Sequence, residues 1–282
     1  MIKRNELKHN FLKRIFFRVD YIGILDDDIQ KIVTTLRNNI FKNGFTGFQQ
    51  TYENQMNLEF NIDLSSQDVD AKRNDLERLN FYTFFNKEGE SISLTKNYFF
   101  LNVNVNDESH TFDKYVDILG EIIDCYNKIS NYSKPVQIGI QKTNVCYFRD
   151  LSKLNNYFSN IAFNHEEIMR IYKEYNCSHN TLLTELTKDF YIINYNRYVQ
   201  EGQMTGTNGD SFVSYQVVLD CIVHCDNVNE IQKALSDRNS CANFVKKLND
   251  IEFNLYINSL TDKFIELLKG DTFYNNEIEG VN

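Results

Sequence analysis

The residues best suited to chemistry are the soft metal ligands between Cys221 and Cys225, where the chain reads Cys-Ile-Val-His-Cys. A structural zinc ion takes four Cys or His ligands, so His224 and the two cysteines would need a fourth, such as Cys241 or His179. The run is predicted to be a strand, however, and successive side chains of a strand point to opposite faces. Cys221 and Cys225 then share a face while His224 points away, and we interpret these thiols as core residues.

Two other patterns have simpler explanations than chemistry. Cys177 and His179 could suggest a thiol–imidazole pair, but neighbours in sequence rarely have the geometry for proton transfer and no third orienting group is evident. We interpret them as loop residues. The three aspartates at 26–28 could hold a divalent cation. They precede an apolar helical pattern, however, where carboxylates cap free N–H groups and oppose the helix dipole, and we favour capping.

No catalytic fingerprint is found in the sequence. The glycines of the loop 201–211 do not follow a phosphate-loop pattern and lie between two predicted strands, which indicates a hairpin loop. There is no serine elbow, no His-Glu-x-x-His and no kinase or dinucleotide motif. We therefore predict a protein that is not an enzyme and binds no cofactor or metal. The alternative is a nuclease whose site is assembled from distant carboxylates such as Asp20, Asp63 and Asp220.

The aromatic runs 81–85 and 98–100 could stack bases, as on single-strand-binding sheets. The net charge of −9 and the scattered Lys and Arg argue against a nucleic-acid backbone as ligand, because phosphates need a concentrated basic surface. We therefore predict that these rings pack in the core. The net negative charge of the chain also suits a protein that occupies the nucleic-acid-binding groove of a basic partner.

The composition predicts an ordered cytoplasmic protein. Hydrophobic residues make up 42% of the chain and aromatic residues 14%, which is enough apolar surface to offset the entropy of ordering. No stretch approaches the roughly 18 apolar residues of a membrane helix. The N-terminus lacks the apolar core of a signal peptide, so the six cysteines are expected to be reduced thiols in the cytoplasm.

Hydrophobic spacing in the first half predicts helices alternating with groups of strands. Alternation of apolar and polar residues predicts strands at 56–64 and 98–105. Each has one apolar face and one polar face, which is typical of antiparallel sheets. Apolar stripes mark one helix after the aspartates, at 29–40, and a clearer one at 112–129. A further strand follows at 135–148, where a proline at the first position removes no interior ladder bond.

The second half repeats this order more loosely. Helical pieces are predicted over 151–186, strands at 189–200 and 212–225, a short helix at 228–236 and a long helix at 239–269. Strands followed by helices predict an α+β fold, in which antiparallel sheet carries long amphipathic helices on one face. No linker divides the chain, so we predict one continuous unit over 1–282, with two related sub-sheets, 1–150 and 151–282, as a variant.

The strand segment 137–144, which reads Gln-Ile-Gly-Ile-Gln-Lys-Thr-Asn, resembles a motif of the type Arg-Ile-Gly-Leu-Arg-Tyr-Ile-Asn. That motif belongs to an uncharacterised, sporadically distributed bacterial family of similar length. Gln137 and Gln141 replace the two arginines of the family, so an anion contact made by those arginines would be lost. The resemblance also covers an aspartate in a later strand, and it points to Gln141, Asn144 and Asp220 as candidate interaction residues.

The patchy distribution of that family resembles that of mobile or defence-linked genes. We therefore expect a non-enzymatic cytoplasmic interaction or regulatory protein with a protein partner, such as a phage-defence or toxin–antitoxin accessory component. The alternative is a nucleic-acid-binding protein or nuclease, or an acidic protein in a nucleic-acid-binding groove. No membrane partner is expected.

Overall fold

A computed structural model describes residues 2–63, 68–105, 112–129, 132–174, 177–205, 211–273 and 278–279, with the side chains of 52–80 and 204 excepted. The strands are β1 Leu12–Ile22, β2 Gly47–Asp63, β3 Asp68–Phe85, β4 Ser91–Leu94, β5 Tyr98–Asn104, β6 Lys134–Phe148, β7 His179–Lys188, β8 Tyr191–Thr205, β9 Ser211–Cys225 and β10 Ile278–Glu279. The helices are α1 Asp26–Phe41, α2 Phe112–Ile129, α3 His165–Glu174, α4 Val228–Ala234, α5 Arg238–Asn258 and α6 Asp262–Lys269. Two short 3₁₀ segments lie at Arg4–Glu6 and Leu151–Asn156.

The strands of the described ranges form one ten-stranded sheet, in the order β2-β3-β4-β5-β1-β6-β9-β8-β7, and β10 pairs with the end of β6. Every neighbouring pair is antiparallel. The predicted α+β class is therefore confirmed. The pairing of β6 with β9 joins strands from 1–150 and 151–282, so the sheet is continuous across the two segments.

Helices α1 to α6 contribute to one core together with the side chains of one sheet face. In β1 that face carries the buried residues Ile15, Phe17, Val19 and Tyr21. The ring of Tyr21 lies 4.7 Å from that of Tyr126 on α2. Alternation puts the other side chains of each strand on the opposite face, which we call the open face because none of the described helices covers it.

A buried ion pair fastens α5 to the middle of the sheet. Lys142 Nζ on β6 lies 2.9 Å from Glu252 Oε2 on α5, and the two side chains are 9% and 3% exposed. Such a pair needs both members, because removing one leaves the other charge buried without compensation.

Several predicted elements match the structure closely. Helix α2 has the predicted bounds 112–129, and β6 is one residue longer than the predicted 135–148. The strand predicted at 56–64 lies within β2 up to residue 63. Residue 64 and the side chains of 56–63 lie outside the described set. Among the described helices, none is long and apolar enough to cross a membrane.

Two predictions about the second half are wrong. Helical pieces were predicted over 151–186, but residues 179–188 form strand β7. A two-residue turn at Asp189 and Phe190 connects β7 to β8, and the two strands pair as a hairpin. Asp189 has φ 56°, a left-handed conformation that aspartate tolerates better than most residues.

The predicted helix 239–269 is two helices. Helix α5 ends at Asn258, and Ser259 donates a backbone hydrogen bond back to the carbonyl of Leu255. Thr261 then begins α6 as its N-cap, since its hydroxyl accepts from Phe264 N at 3.3 Å. The break is stabilised because the backbone of 259–261 hydrogen-bonds to that of 157–159.

The ion pair yields a prediction for stability. Glu252→Ala is expected to lower the free energy of unfolding by about 3–5 kcal/mol, because Lys142 is left charged and buried. The double variant Lys142→Met/Glu252→Leu is expected to lose clearly less free energy of unfolding than Glu252→Ala, because no charge is left buried. Urea unfolding measures both, and Asp113→Ala, which breaks the exposed pair with Lys246, is a control expected to cost less than about 1 kcal/mol. If Glu252→Ala is as stable as Asp113→Ala, the assignment of a buried Lys142–Glu252 ion pair is contradicted.

Candidate binding face

The open face is polar but carries few charges. Because opposite residues of neighbouring strands share a face, the register defines which side chains lie there. Its uncharged polar residues include Ser93, Asn102, Asn104, Gln137, Gln141, Thr143, Asn194, Asn196, Gln200 and Gln216. Amides of this kind both donate and accept hydrogen bonds, so the face can bind a ligand without a strong charge of its own.

Four aromatic rings lie together on the open face at β1, β3 and β5. The centroids of Phe16 and Phe100 are 4.8 Å apart, and Phe100 lies 6.2 Å from both Tyr98 and Phe81. All four rings are partly exposed. The prediction that these runs pack in the core therefore holds for Tyr82, Phe84 and Phe99, which face the helices. It is wrong for Phe81, Phe85, Tyr98 and Phe100.

Two arginines border these rings. The guanidinium carbon of Arg18 lies 4.4 Å from the Tyr98 ring centroid, and that of Arg14 lies 5.8 Å from the Phe16 centroid. Arg18 also donates to Asp20 Oδ1 from Nε at 3.0 Å and from Nη2 at 2.8 Å. We call Phe16, Phe81, Tyr98, Phe100, Arg14 and Arg18 the aromatic–arginine cluster.

A depression of about 330 Å³ opens beside this cluster, around Gly139. Gly139 on β6 lies opposite Arg18 on β1 and His224 on β9. A Cβ atom at Gly139 would lie 2.8 Å from the Cβ of His224, so any larger residue would crowd the neighbouring strand and fill the floor. The depression is lined on its sides by Phe16, Arg18, Asp20, Gln137, Gln141, Asn194, Ile222 and His224.

Burial favours the neutral form of the His224 imidazole. Burial lowers its pKa below 6.5, against the opposing effect of the carboxylates of Asp226, Glu185 and Asp20. Its Nδ1 is buried and has no hydrogen-bond partner within the described part of the chain. A buried polar atom without a partner is uncommon in folded proteins, and the side chain that carries it also lines the depression.

Asp220 is tied to β6 by two side chains of the open face. Gln141 Nε2 donates to both carboxylate oxygens at 2.9 Å, and the hydroxyl of Thr143 donates to Oδ1 at 2.8 Å. The structure thus brings together Gln141 and Asp220, two of the three candidate interaction residues. The third, Asn144, is 4% exposed and faces the helices, so it does not share a surface with them.

The carboxylates of the alternative nuclease site do not converge. Asp20 lies opposite position 137 of β6, and Asp220 lies opposite position 143. Positions 137 and 143 are six residues apart, which is about 20 Å along a strand. Asp20 and Asp220 are therefore too far apart to share a metal ion. The side chain of Asp63 lies outside the described residues.

The cysteine patterns are placed as strand alternation predicts. Cys221 and Cys225 face the helices while His224 lies on the open face. Across the described ranges, no three His, Cys, Asp or Glu side chains are grouped so as to hold a metal ion. Burial raises the pKa of the Cys221 thiol and raises that of Cys241 to about 12, so both are protonated and unreactive at neutral pH.

The remaining chemical patterns have structural roles. The Cys177 thiol donates to the backbone carbonyl of His179 at 3.3 Å, and the His179 imidazole pairs with the hydroxyl of Thr181. Asp28 accepts from the backbone N–H of Leu25 at the start of α1, so the capping role is confirmed for Asp28, whereas Asp26 pairs with Lys96 at 3.1 Å. In the loop 201–211, residues up to 205 continue β8, while Gly206 and Gly209 lie outside the described residues.

Sequence reasoning missed the cluster and the depression. Phe16 lies between Arg14 and Arg18 on the polar face of β1, but nothing in the sequence singled out its ring, and Gln137 and Asn194 resembled many other amides. Alternation could have placed each residue on a face. Only the register of β5, β1, β6 and β9 shows which of them are neighbours.

Comparison with known proteins gives no relative. No protein-family model, no curated protein and no solved structure matches this chain.

His224 yields a prediction about pH. Its pKa is lowered in the folded protein, so below about 6.5 the unfolded chain binds the proton more readily and the free energy of unfolding falls. This loss begins near pH 6.5 and levels off below the folded pKa. His224→Gln is expected to show a smaller decrease between pH 7 and pH 5 than the wild type, measured by urea unfolding at each pH. His9→Gln, at a histidine outside the depression, is the control, and equal pH dependence of the wild type and His224→Gln would contradict the prediction.

Proposed function

We propose that this protein is a non-enzymatic interaction protein that binds a protein partner through the open face. The observation that supports this most strongly is the aromatic–arginine cluster, which lies partly exposed on a sheet face free of described helices. Protein interfaces concentrate Tyr, Phe and Arg at their centre and are depleted there in other charges. The amides around the cluster suit the polar rim of such an interface.

Charge favours a protein over a nucleic acid as the partner. Single-strand-binding sheets combine stacking rings with a groove of cations along the phosphates. Here Arg18 is already paired with Asp20, Asp220 lies on the same face, and the whole chain carries a net charge of −9. The rings themselves are the one feature that favours single-stranded nucleic acid, which is therefore the second candidate.

The finer parts of the proposal rest on the sequence alone. The family resemblance supports a role as an accessory component in phage defence or in a toxin–antitoxin system, and the six unpaired cysteine thiols support a cytoplasmic location. Both remain predictions.

The proposal predicts that one ring of the cluster controls partner capture. Tagged wild-type protein, Phe100→Ser and Ile161→Ser are incubated with extract of the native host, and the captured proteins are quantified by mass spectrometry. Ile161 is 50% exposed and lies outside the open face, so its variant controls for the loss of an exposed apolar group. Because a central aromatic residue contributes about 2 kcal/mol or more, Phe100→Ser is expected to reduce recovery of the partner at least tenfold, with Ile161→Ser unchanged.

Equal recovery by the wild type and Phe100→Ser would contradict the proposal. The second candidate is measured in parallel by fluorescence anisotropy with single-stranded DNA and RNA at low salt, with and without magnesium. No binding and no cleavage are expected. Binding that Phe100→Ser abolishes would replace the protein partner with a nucleic acid.

A further inference from the structure

The depression around Gly139 presents polar groups that the rest of the fold does not use. Within the part of the chain that the structure describes, the side-chain amides of Gln137 and Asn194 make no hydrogen bond. The buried Nδ1 of His224 is also without a partner there. The two amides reach the depression from β6 and β8, and the His224 side chain lines it from β9, so polar side chains of three strands converge on one space.

Two apolar side chains contribute to the walls of the depression. Phe16 on β1 and Ile222 on β9 are its largest apolar side chains, and Gly139 leaves the floor without one. The volume of about 330 Å³ lies at the lower end of the roughly 300–1,000 Å³ typical of small-molecule sites. A ligand of one or two rings therefore matches the space, and the Phe16 ring offers it a stacking surface.

Charge restricts the ligand further. The one cation of the lining, Arg18, is neutralised by Asp20, which also lines the depression. An anionic ligand would have to displace or tolerate this carboxylate. Amide groups, by contrast, satisfy a ligand that both donates and accepts hydrogen bonds.

We propose that the depression around Gly139 binds a neutral planar heteroaromatic ring with donors and acceptors on its edge, the chemistry of a nucleoside base. The ring stacks against Phe16, and its edge hydrogen-bonds to the amides of Gln137 and Asn194 and to the imidazole of His224. This site goes beyond the proposed function, since it does not require a protein partner on the cluster.

The test uses adenosine, guanosine, cytidine and uridine as probes, with the full chain and isothermal titration calorimetry. At least one nucleoside is expected to bind with a dissociation constant below about 1 mM. Gln137→Leu and Asn194→Leu each remove one hydrogen bond and are expected to weaken binding about five- to tenfold. Gln200→Leu changes the same residue type at an exposed position of the open face outside the lining, and it is expected to bind like the wild type. Thermal unfolding confirms that each variant is folded.

Three results would overturn the inference. These are no binding of any nucleoside by the folded wild type, binding that neither lining variant weakens, and binding of a nucleoside 5′-monophosphate much more tightly than the nucleoside, which would indicate an anion site.

Phe81→Ser separates this inference from the proposed function, because Phe81 belongs to the cluster but not to the lining. It is expected to reduce partner capture and leave nucleoside binding unchanged. Nucleoside binding without partner capture would overturn only the proposed function. Partner capture without nucleoside binding would overturn only the present inference.

Discussion

The alternation of side chains along the strands is the constraint on which the rest of the structure depends. Alternate residues of each strand point to opposite sides of the ten-stranded sheet, and helices α1 to α6 pack on the side that carries the buried apolar core. The coverage is held by stacked rings such as Tyr21 on Tyr126 and by the buried pair of Lys142 with Glu252. Once the helices occupy one face, the other must be compatible with water or with a partner, and its amide-rich composition meets that requirement.

The open face carries two neighbouring features, the aromatic–arginine cluster, for which we propose partner contact, and the depression, for which we propose ligand binding. The aromatic–arginine cluster offers rigid, partly exposed rings, which gain binding energy from burial at low cost in side-chain entropy. The depression beside it adds hydrogen-bonding groups that the fold leaves unpaired around a glycine floor. Neither region has a nucleophile paired with a base, and Asp20 and Asp220 lie about 20 Å apart on the sheet.

The sequence predicts the elements better than their arrangement. Helix 112–129 and strand 135–148 follow directly from apolar periodicity, because each buries a single face. The strand at 179–188 and the break after Asn258 could not be predicted, since a hairpin turn at Asp189 and pairing of 259–261 with 157–159 override local preference. The candidate site shows the same limit: the family resemblance led to Gln141 and Asp220, which do hydrogen-bond, and also to Asn144, which faces the helices. The cluster and the depression depend on cross-strand register, which local periodicity does not specify.

Hydroxyl-radical footprinting tests most directly whether the open face is the binding face, and it does not require the partner to be known. Oxidation of Phe16, Tyr98 and Phe100 is compared between the purified protein and the same protein in extract of the native host. Tyr132, which is 82% exposed, serves as the internal reference. The account predicts that the three rings are protected in the extract while Tyr132 is oxidised equally in both samples. Equal oxidation of the three rings in both samples would contradict it.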